Sequence, residues 1–268
     1  MRALSLFAAA MTLATATAAF AAEPAPKSDD KDVVGVTLSS GIDYSSGAYG
    51  DGKDTDILVG LTNVGVTWRD LSFSASVPYL TITGPSFVVI GPGGVPVLVT
   101  PQPGSTTTGR SGWGDLNLGL TYSLPEFDDF DVAVTARTKV ATADTSKGLS
   151  TGATDFSFYV DVSREFGIWG PFVNFGYRVP GKPSFYSFND APSFSIGTTV
   201  QLSDDFVAIT SYDFDGSISS SLADAQQMFA SLSWLATDDI SLTAYVEDGL
   251  SSGAPKVGTG LLVSLKVR

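Results

Sequence analysis

The chain has 268 residues, with 15 Lys plus Arg against 28 Asp plus Glu and a formal net charge of −13. Charged residues are 16% and hydrophobic ones 43%, too apolar and too lightly charged for a disordered chain. His and Cys are both absent, which excludes disulfides, His- or Cys-based metal sites, a Cys nucleophile and a Ser-His-Asp triad; the acidic balance argues against nucleic acid as a partner.

Met1-Arg2, the apolar stretch Ala3–Ala18 and the small-residue site Ala19-Phe20-Ala21 read as a signal peptide over residues 1–21. Residues 22–32, polar and Pro-containing, follow as a flexible periplasmic leader. Residues 33–268 then form one domain. No later apolar run reaches the roughly 18 residues that a membrane-spanning helix needs.

From Val34 the period is two. Val34, Val36 and Leu38 alternate with Gly35, Thr37 and Ser39; Leu71, Phe73 and Ala75 alternate with Ser72 and Ser74. The pattern is cleanest at Leu116, Leu118, Leu120 and Tyr122, between Asp115, Asn117, Gly119 and Thr121. This is a strand with one apolar and one polar face. Twelve such segments are expected, at 33–45, 55–68, 71–83, 113–124, 130–143, 154–164, 170–179, 192–202, 206–215, 226–235, 240–248 and 256–267. The alternation of the second, ninth and tenth is broken by extra apolar residues.

Short connections (Arg69-Asp70, 125–129, 165–169, 203–205, 236–239) alternate with longer loops rich in Gly, Pro and Ser, the extreme being 84–112. Trp68, Trp169 and Trp234 lie beside the short turns, with Tyr122, Phe127, Phe130, Phe166 and Phe206. Tyr44, Tyr79, Trp113 and Tyr177 lie toward the other ends. These are the marks of an outer-membrane barrel with an aromatic girdle. A soluble β-sandwich shares the alternation, but its solvent face normally carries Lys and Glu. Here the polar faces are Ser, Thr, Gly and Asp, which fit inside a closed cylinder. The expected fold is therefore all-β, a transmembrane antiparallel β-barrel of about twelve strands. Asp128-Asp129, Asp204-Asp205 and Asp238-Asp239 fall in its short turns, where Asp accepts hydrogen bonds from backbone amides.

Val77-Pro78-Tyr79-Leu80-Thr81-Ile82-Thr83-Gly84-Pro85 precedes the long loop, and Arg110-Ser111-Gly112-Trp113-Gly114-Asp115 follows it. Then come Lys139-Val140-Ala141-Thr142-Ala143-Asp144, Gly148-Leu149-Ser150-Thr151-Gly152 with Asp155, and Gly176-Tyr177-Arg178. In this order and spacing, from about Tyr44 to the C-terminus, the chain resembles the outer-membrane putative transporter family of the phenol-degradation meta pathway. It departs from that family at Ala141 and Ala143, where Pro and Gly are usual, and at Val257, where an aromatic is usual. The resemblance implies an outer-membrane barrel with a role in solute passage.

The alternation turns Asp43, Asp115, Asp131, Asp155, Asp161, Asp213 and Glu247 inward. It does the same for Arg137, Lys139, Arg178 and Lys266, and for Tyr159, Asn174 and Gln201. One reading is that these groups pair and hydrate a mostly filled lumen. The other is that Asp115, Asp131, Arg137, Lys139, Asp155, Tyr159, Asp161, Arg178, Asp213 and Glu247 line a pore and select solutes, the acid excess favouring cations. Arg137 and Asp161 would lie near each other across one hairpin. In the 84–112 loop, Phe87-Val88-Val89-Ile90 and Val95-Pro96-Val97-Leu98-Val99 flank Gly91-Pro92-Gly93-Gly94. Such apolar runs normally meet another surface. They are expected to pair as a hairpin that folds over or into the mouth, with Phe87, Ile90, Val97 and Leu98 as lid residues. Alternatively, they pack on neighbouring loops or extend two strands outward.

The function expected from these features is passive passage of small molecules through the bacterial cell outer membrane, hydrophobic or aromatic solutes among them. The alternative is a non-conducting structural or adhesive barrel. An enzyme is not expected, since there is no His to act as a base. No cofactor is implied, because no nucleotide loop, metal-ligand cluster or haem motif is present. The implied partners are outer-membrane lipids, the barrel-assembly machinery and small-molecule solutes.

Overall fold

A computed structural model of the chain describes residues 33–49, 53–92, 96–98, 107–183, 187–220 and 222–267. The signal peptide and leader expected over 1–32 lie outside the described residues. The strands in chain order are β1 (Gly35–Gly47), β2 (Thr55–Trp68), β3 (Leu71–Pro85), β4 (Val88–Ile90) and β5 (Pro96–Leu98). Next come β6 (Thr107–Trp113), β7 (Leu116–Ser123), β8 (Phe130–Val140), β9 (Asp155–Arg164) and β10 (Trp169–Val179). The last are β11 (Ala191–Gln201), β12 (Phe206–Asp215), β13 (Ala225–Leu235), β14 (Ile240–Gly249) and β15 (Val257–Lys266).

The large sheet is antiparallel throughout, and β1 pairs with β15 with Ser39 opposite Ser264, so the sheet closes on itself. The first half of β3 pairs with β7 and its second half with β6. β6 and β7 are thus one stave, and the barrel has twelve. The stave is interrupted at Gly114-Asp115, opposite Pro78, which has no N–H to give to the ladder; its carbonyl still accepts from Gly114 N at 2.8 Å. The stave begins at Thr107 and β3 runs to Pro85, so both reach further into the 84–112 segment than the sequence pattern indicates. β8 stops at Val140, short of the expected 143, because Asp115 Oδ1 takes the Thr142 and Ala143 amides, each at 2.9 Å.

The barrel is inverted relative to a soluble protein. Ile42, Phe158, Phe175, Val246 and Leu261 face outward and are exposed, while Ser39, Asp43, Asn174, Asp213 and Glu247 face inward and are buried. An apolar exterior suits hydrocarbon, where closure leaves no unpaired strand edge. Trp68, Phe127, Phe166, Trp169, Phe206 and Trp234 are exposed around the short-turn end, with the Phe206 and Trp234 rings stacked at 6.5 Å. Arg164 lies over the Phe130 and Phe166 rings there and pairs with Asp129 at 2.9 Å. Tyr44, Tyr79, Trp113 and Tyr177 mark the long-loop end.

The short turns use two devices. Asp128 and Asp129 both adopt positive φ, 50° and 63°, which Asp tolerates better than most residues. In the turns after β11 and β13 the acceptors are hydroxyls rather than the Asp pairs: Ser203 Oγ takes the Asp205 and Phe206 amides, and Thr237 Oγ1 takes those of Asp239 and Ile240.

Candidate functional site

Two kinds of lining divide the lumen. Toward the short turns the inner face carries Thr37, Ser72, Ser74, Ala133, Thr199, Ser233 and Ser241, all half-buried. Toward the long loops the inner residues are large, and most are buried. β2 turns Ile57, Val59 and Leu61 inward and β3 turns Leu80 and Ile82 inward, none more than 3% exposed. Ile57, Val59 and Leu61 are the extra apolar positions that break the alternation of β2.

They meet the hairpin of β4 and β5, in which Val88 faces Leu98 and Ile90 faces Pro96. Phe87, Val88, Val89, Ile90 and Val97 are exposed by 7% or less. One apolar cluster joins them to Ile57, Val59, Leu61, Leu80 and Ile82, and across the lumen to Phe172 of β10, Ile209 of β12, Phe229 of β13 and Tyr245 of β14. A cluster that includes inward residues of opposite walls and the hairpin places the hairpin within the lumen. From Ser86 to Gly109 the sequence has no charged residue, so the insertion buries no ionised group.

Arg110, on the inner face of β6, staples the insertion. Its guanidinium donates to the Gly148 carbonyl at 3.0 Å, to Pro85 at 3.3 Å, to Gly84 at 3.5 Å and to the Val88 carbonyl within the hairpin. A planar group with five donors suits this convergence of carbonyls. Gly148 follows a 3-10 turn at Thr145–Lys147, so one side chain ties the hairpin to the loop between β8 and β9.

Beside the staple is a buried charge network. Lys139 Nζ lies 2.8 Å from Asp115 Oδ2 and 2.9 Å from Asp155 Oδ2, with all three side chains exposed by 4% or less. It also donates to the Ala153 carbonyl at 2.9 Å. Asp115 accepts from Ser150 Oγ as well as from the two amides that end β8, and Asp155 accepts from Gly181 N at 2.7 Å. Three residues far apart in sequence thereby anchor two long loops.

The remaining inward residues form smaller groups. Arg137 lies over the Tyr159 ring, 4.9 Å from its centroid. Asp161 accepts from Asn174 Nδ2 at 2.5 Å. Both Arg137 and Asp161 are on the inner face, Arg137 opposite Ser157 and Asp161 opposite Ala133. Asp131 sits near the short turns opposite Ser163 and is half-buried. Arg178 donates to the Gly216 carbonyl at 2.9 Å and pairs with Asp215 at 3.2 Å. Asp213 accepts from Ser211 at 3.0 Å, and Asp43 from Tyr245 Oη at 2.7 Å. Sequence reasoning passed over Arg110, Asp215 and Tyr49. Asp215 could have been found by continuing the parity of Asp213, but nothing in the alternation singles out Arg110.

Rings fold over glycines on adjacent staves. A Cβ on Gly176 would stand 2.6 Å from the Tyr159 ring, and one on Gly197 would stand 2.6 Å from Phe172 Cζ. These glycines let aromatic side chains lie flat against the wall.

No protein-family profile matches the sequence, and no curated protein is a significant relative. Among solved structures, the KdgM porin superposes with a TM-score of 0.54 at 5% identity, covering 87% of this chain and 99% of the porin. The NanC porin does so with a TM-score of 0.50 at 12% identity, covering 86% and 99%. At such identities the likeness is one of fold: a closed twelve-stave antiparallel barrel of the outer-membrane porin type.

Proposed function

We propose that the protein is an outer-membrane channel for passive passage of small molecules, closed at rest by its own hairpin. The observation that carries this reading is the apolar, uncharged hairpin seated in the lumen of a barrel whose exterior is built for lipid. The hydroxyl-lined half beneath it opens toward the short-turn, periplasmic end. In this reading Phe87, Ile90, Val97 and Leu98 form the lid, and the inward charged residues line the path once the lid moves. Apolar and aromatic solutes suit an apolar lid that they can replace. The resemblance to the phenol-degradation meta-pathway transporters supports the same class. Residues 1–21 would be removed on export, and the apolar belt would be inserted among outer-membrane lipids by the barrel-assembly machinery.

The test is conductance in planar bilayers. Wild-type protein is expected to be mostly closed, and a variant lacking residues 87–99 to conduct steadily. A deletion variant that folds, judged by its faster migration on unheated gels, yet stays closed would overturn the channel reading in favour of a structural or adhesive barrel.

A further inference from the structure

The acids of the long-loop half are segregated on one wall. From β12 through β14 and β15 to β1, the inner face carries Asp213, Asp215, Glu247 and Asp43, exposed by 2%, 6%, 2% and 1%. Glu247 stands between Asp43 on one side and Asp213 and Asp215 on the other. Arg178 reaches across from β10 to Asp215. Little else in the chain can match it: between Lys182 and Lys256 there is no Lys or Arg, and the segment that supplies the hairpin carries no charge at all.

Hydrogen bonding leaves this wall incomplete. Tyr245 serves one oxygen of Asp43, and Ser211 serves Asp213. Asp43 Oδ1 and Glu247 Oε1 are buried without a hydrogen-bond partner. Tyr49 is itself fully buried, and burial first, then the charges of Glu247 and Asp43, push its phenol above its ordinary value. It lies just beyond the end of β1, the strand that carries Asp43. Ionised carboxylates held out of water with no counter-charge are strongly disfavoured. Two rings flank them, Phe229 and Tyr245, with centroids 5.7 Å apart. Among the described residues no group of three or more carboxylates has the arrangement of a metal site.

We propose that this wall recognises the solute and that the solute is a protonated organic amine with a small apolar body. The inference rests on the channel reading and names its substrate class. The ammonium supplies the positive charge that Asp43, Asp213 and Glu247 lack. The faces of Tyr49, Phe229 and Tyr245 favour a cation over a neutral group. The apolar body takes the volume that Val88, Ile90 and Val97 vacate, so binding and displacement of the hairpin are one exchange.

Benzylammonium, benzyl alcohol, benzoate and sodium chloride serve as probes, titrated at constant ionic strength into intact protein in detergent micelles. Calorimetry reads binding. The chain has no Cys, so Ile90→Cys introduces a unique thiol whose maleimide labelling reads hairpin release. Benzylammonium is expected to bind at least about tenfold more tightly than benzyl alcohol or benzoate and to speed labelling. Glu247→Gln should remove that advantage and leave benzyl alcohol binding unchanged, whereas Asp205→Asn, at an exposed acid of a short turn, should change neither. Asp43→Asn repeats the test should Glu247→Gln fail to fold. Equal binding of the alcohol, an amine response indifferent to these variants, or the same labelling with sodium ion alone would overturn the proposal. None of these readouts needs ion flow, so amine binding by a barrel that never conducts would spare the site and sink the channel.

Discussion

Replacing Lys139 by Met removes the ammonium that bridges Asp115 and Asp155 and leaves two carboxylates facing each other in a region exposed by 4% or less. The two acids are not equally provided for. Asp115 keeps the amides of Thr142 and Ala143 and the hydroxyl of Ser150, while among the described residues Asp155 keeps only the amide of Gly181. Breaking one side of a buried ion pair typically destabilises by about 3–5 kcal/mol, and here most of that loss should fall on Asp155. Urea unfolding from lipid vesicles should show a loss of that size. The loop between β8 and β9 should loosen too, because Lys139 also holds the Ala153 carbonyl. Lys147 is exposed in that loop, so tryptic cleavage after it should accelerate several-fold. The double variant Lys139→Met, Asp155→Asn should recover most of the stability, since the worst-served charge is then gone. A single variant that loses less than about 1 kcal/mol, the upper range for an exposed pair, or a double variant no better than the single one, would refute the assignment of these residues as a buried latch.

Arg110→Ala should free the hairpin from the wall. Hydrogen bonds to a charged group are worth about 1.5–3 kcal/mol each, so losing those to Val88, Pro85 and Gly148 should raise open probability by about tenfold or more in single-channel records. Unchanged dwell times would show that packing alone holds the hairpin. Asp144, on the exposed loop, accepts from Ser146 N at 3.0 Å and Ser146 Oγ at 2.6 Å, and these bonds hold its carboxyl below the usual carboxylate range. A lowered folded-state value means the cap is in force above the unfolded value and is lost only as pH falls through the lowered one. The Ser146 amide shift should therefore titrate with a midpoint below ~3.9; a midpoint at or above that would contradict the cap.

The architecture was legible in the sequence because a barrel wall is a repetition of one local rule. At Leu116–Tyr122 each side chain must choose lipid or lumen, and the choice is visible residue by residue. The same rule hid the lid. Ile57, Val59 and Leu61 face inward although they are apolar, because they serve a hairpin some thirty residues later. Read alone, they only blur the alternation. The latch was half legible: parity turns Asp115, Lys139 and Asp155 inward, but their meeting depends on the register of β7, β8 and β9, which the pattern does not set. Arg110 stands in one of the motifs of the resemblance, but its role was illegible, since the partners it finds are backbone carbonyls and carry no sequence signature.

The lumen's two halves also differ as electrical elements. Beneath the hairpin the inner face carries half-buried hydroxyls such as Ser72, Thr199 and Ser233; in the proposed channel this half admits bulk electrolyte, and electrolyte supports almost no voltage drop. A potential across the membrane must then fall over the sealed half alone, a fraction of the bilayer's thickness, steepening the local field. Moving one charge through the full drop is worth about 2.3 kcal/mol per 100 mV, and that work would be done over the short distance spanned by Arg178, Glu247 and the hairpin. A charged solute crossing this barrel would meet nearly the whole membrane potential at one narrow layer, so the layer that seals the channel also sets its sensitivity to voltage.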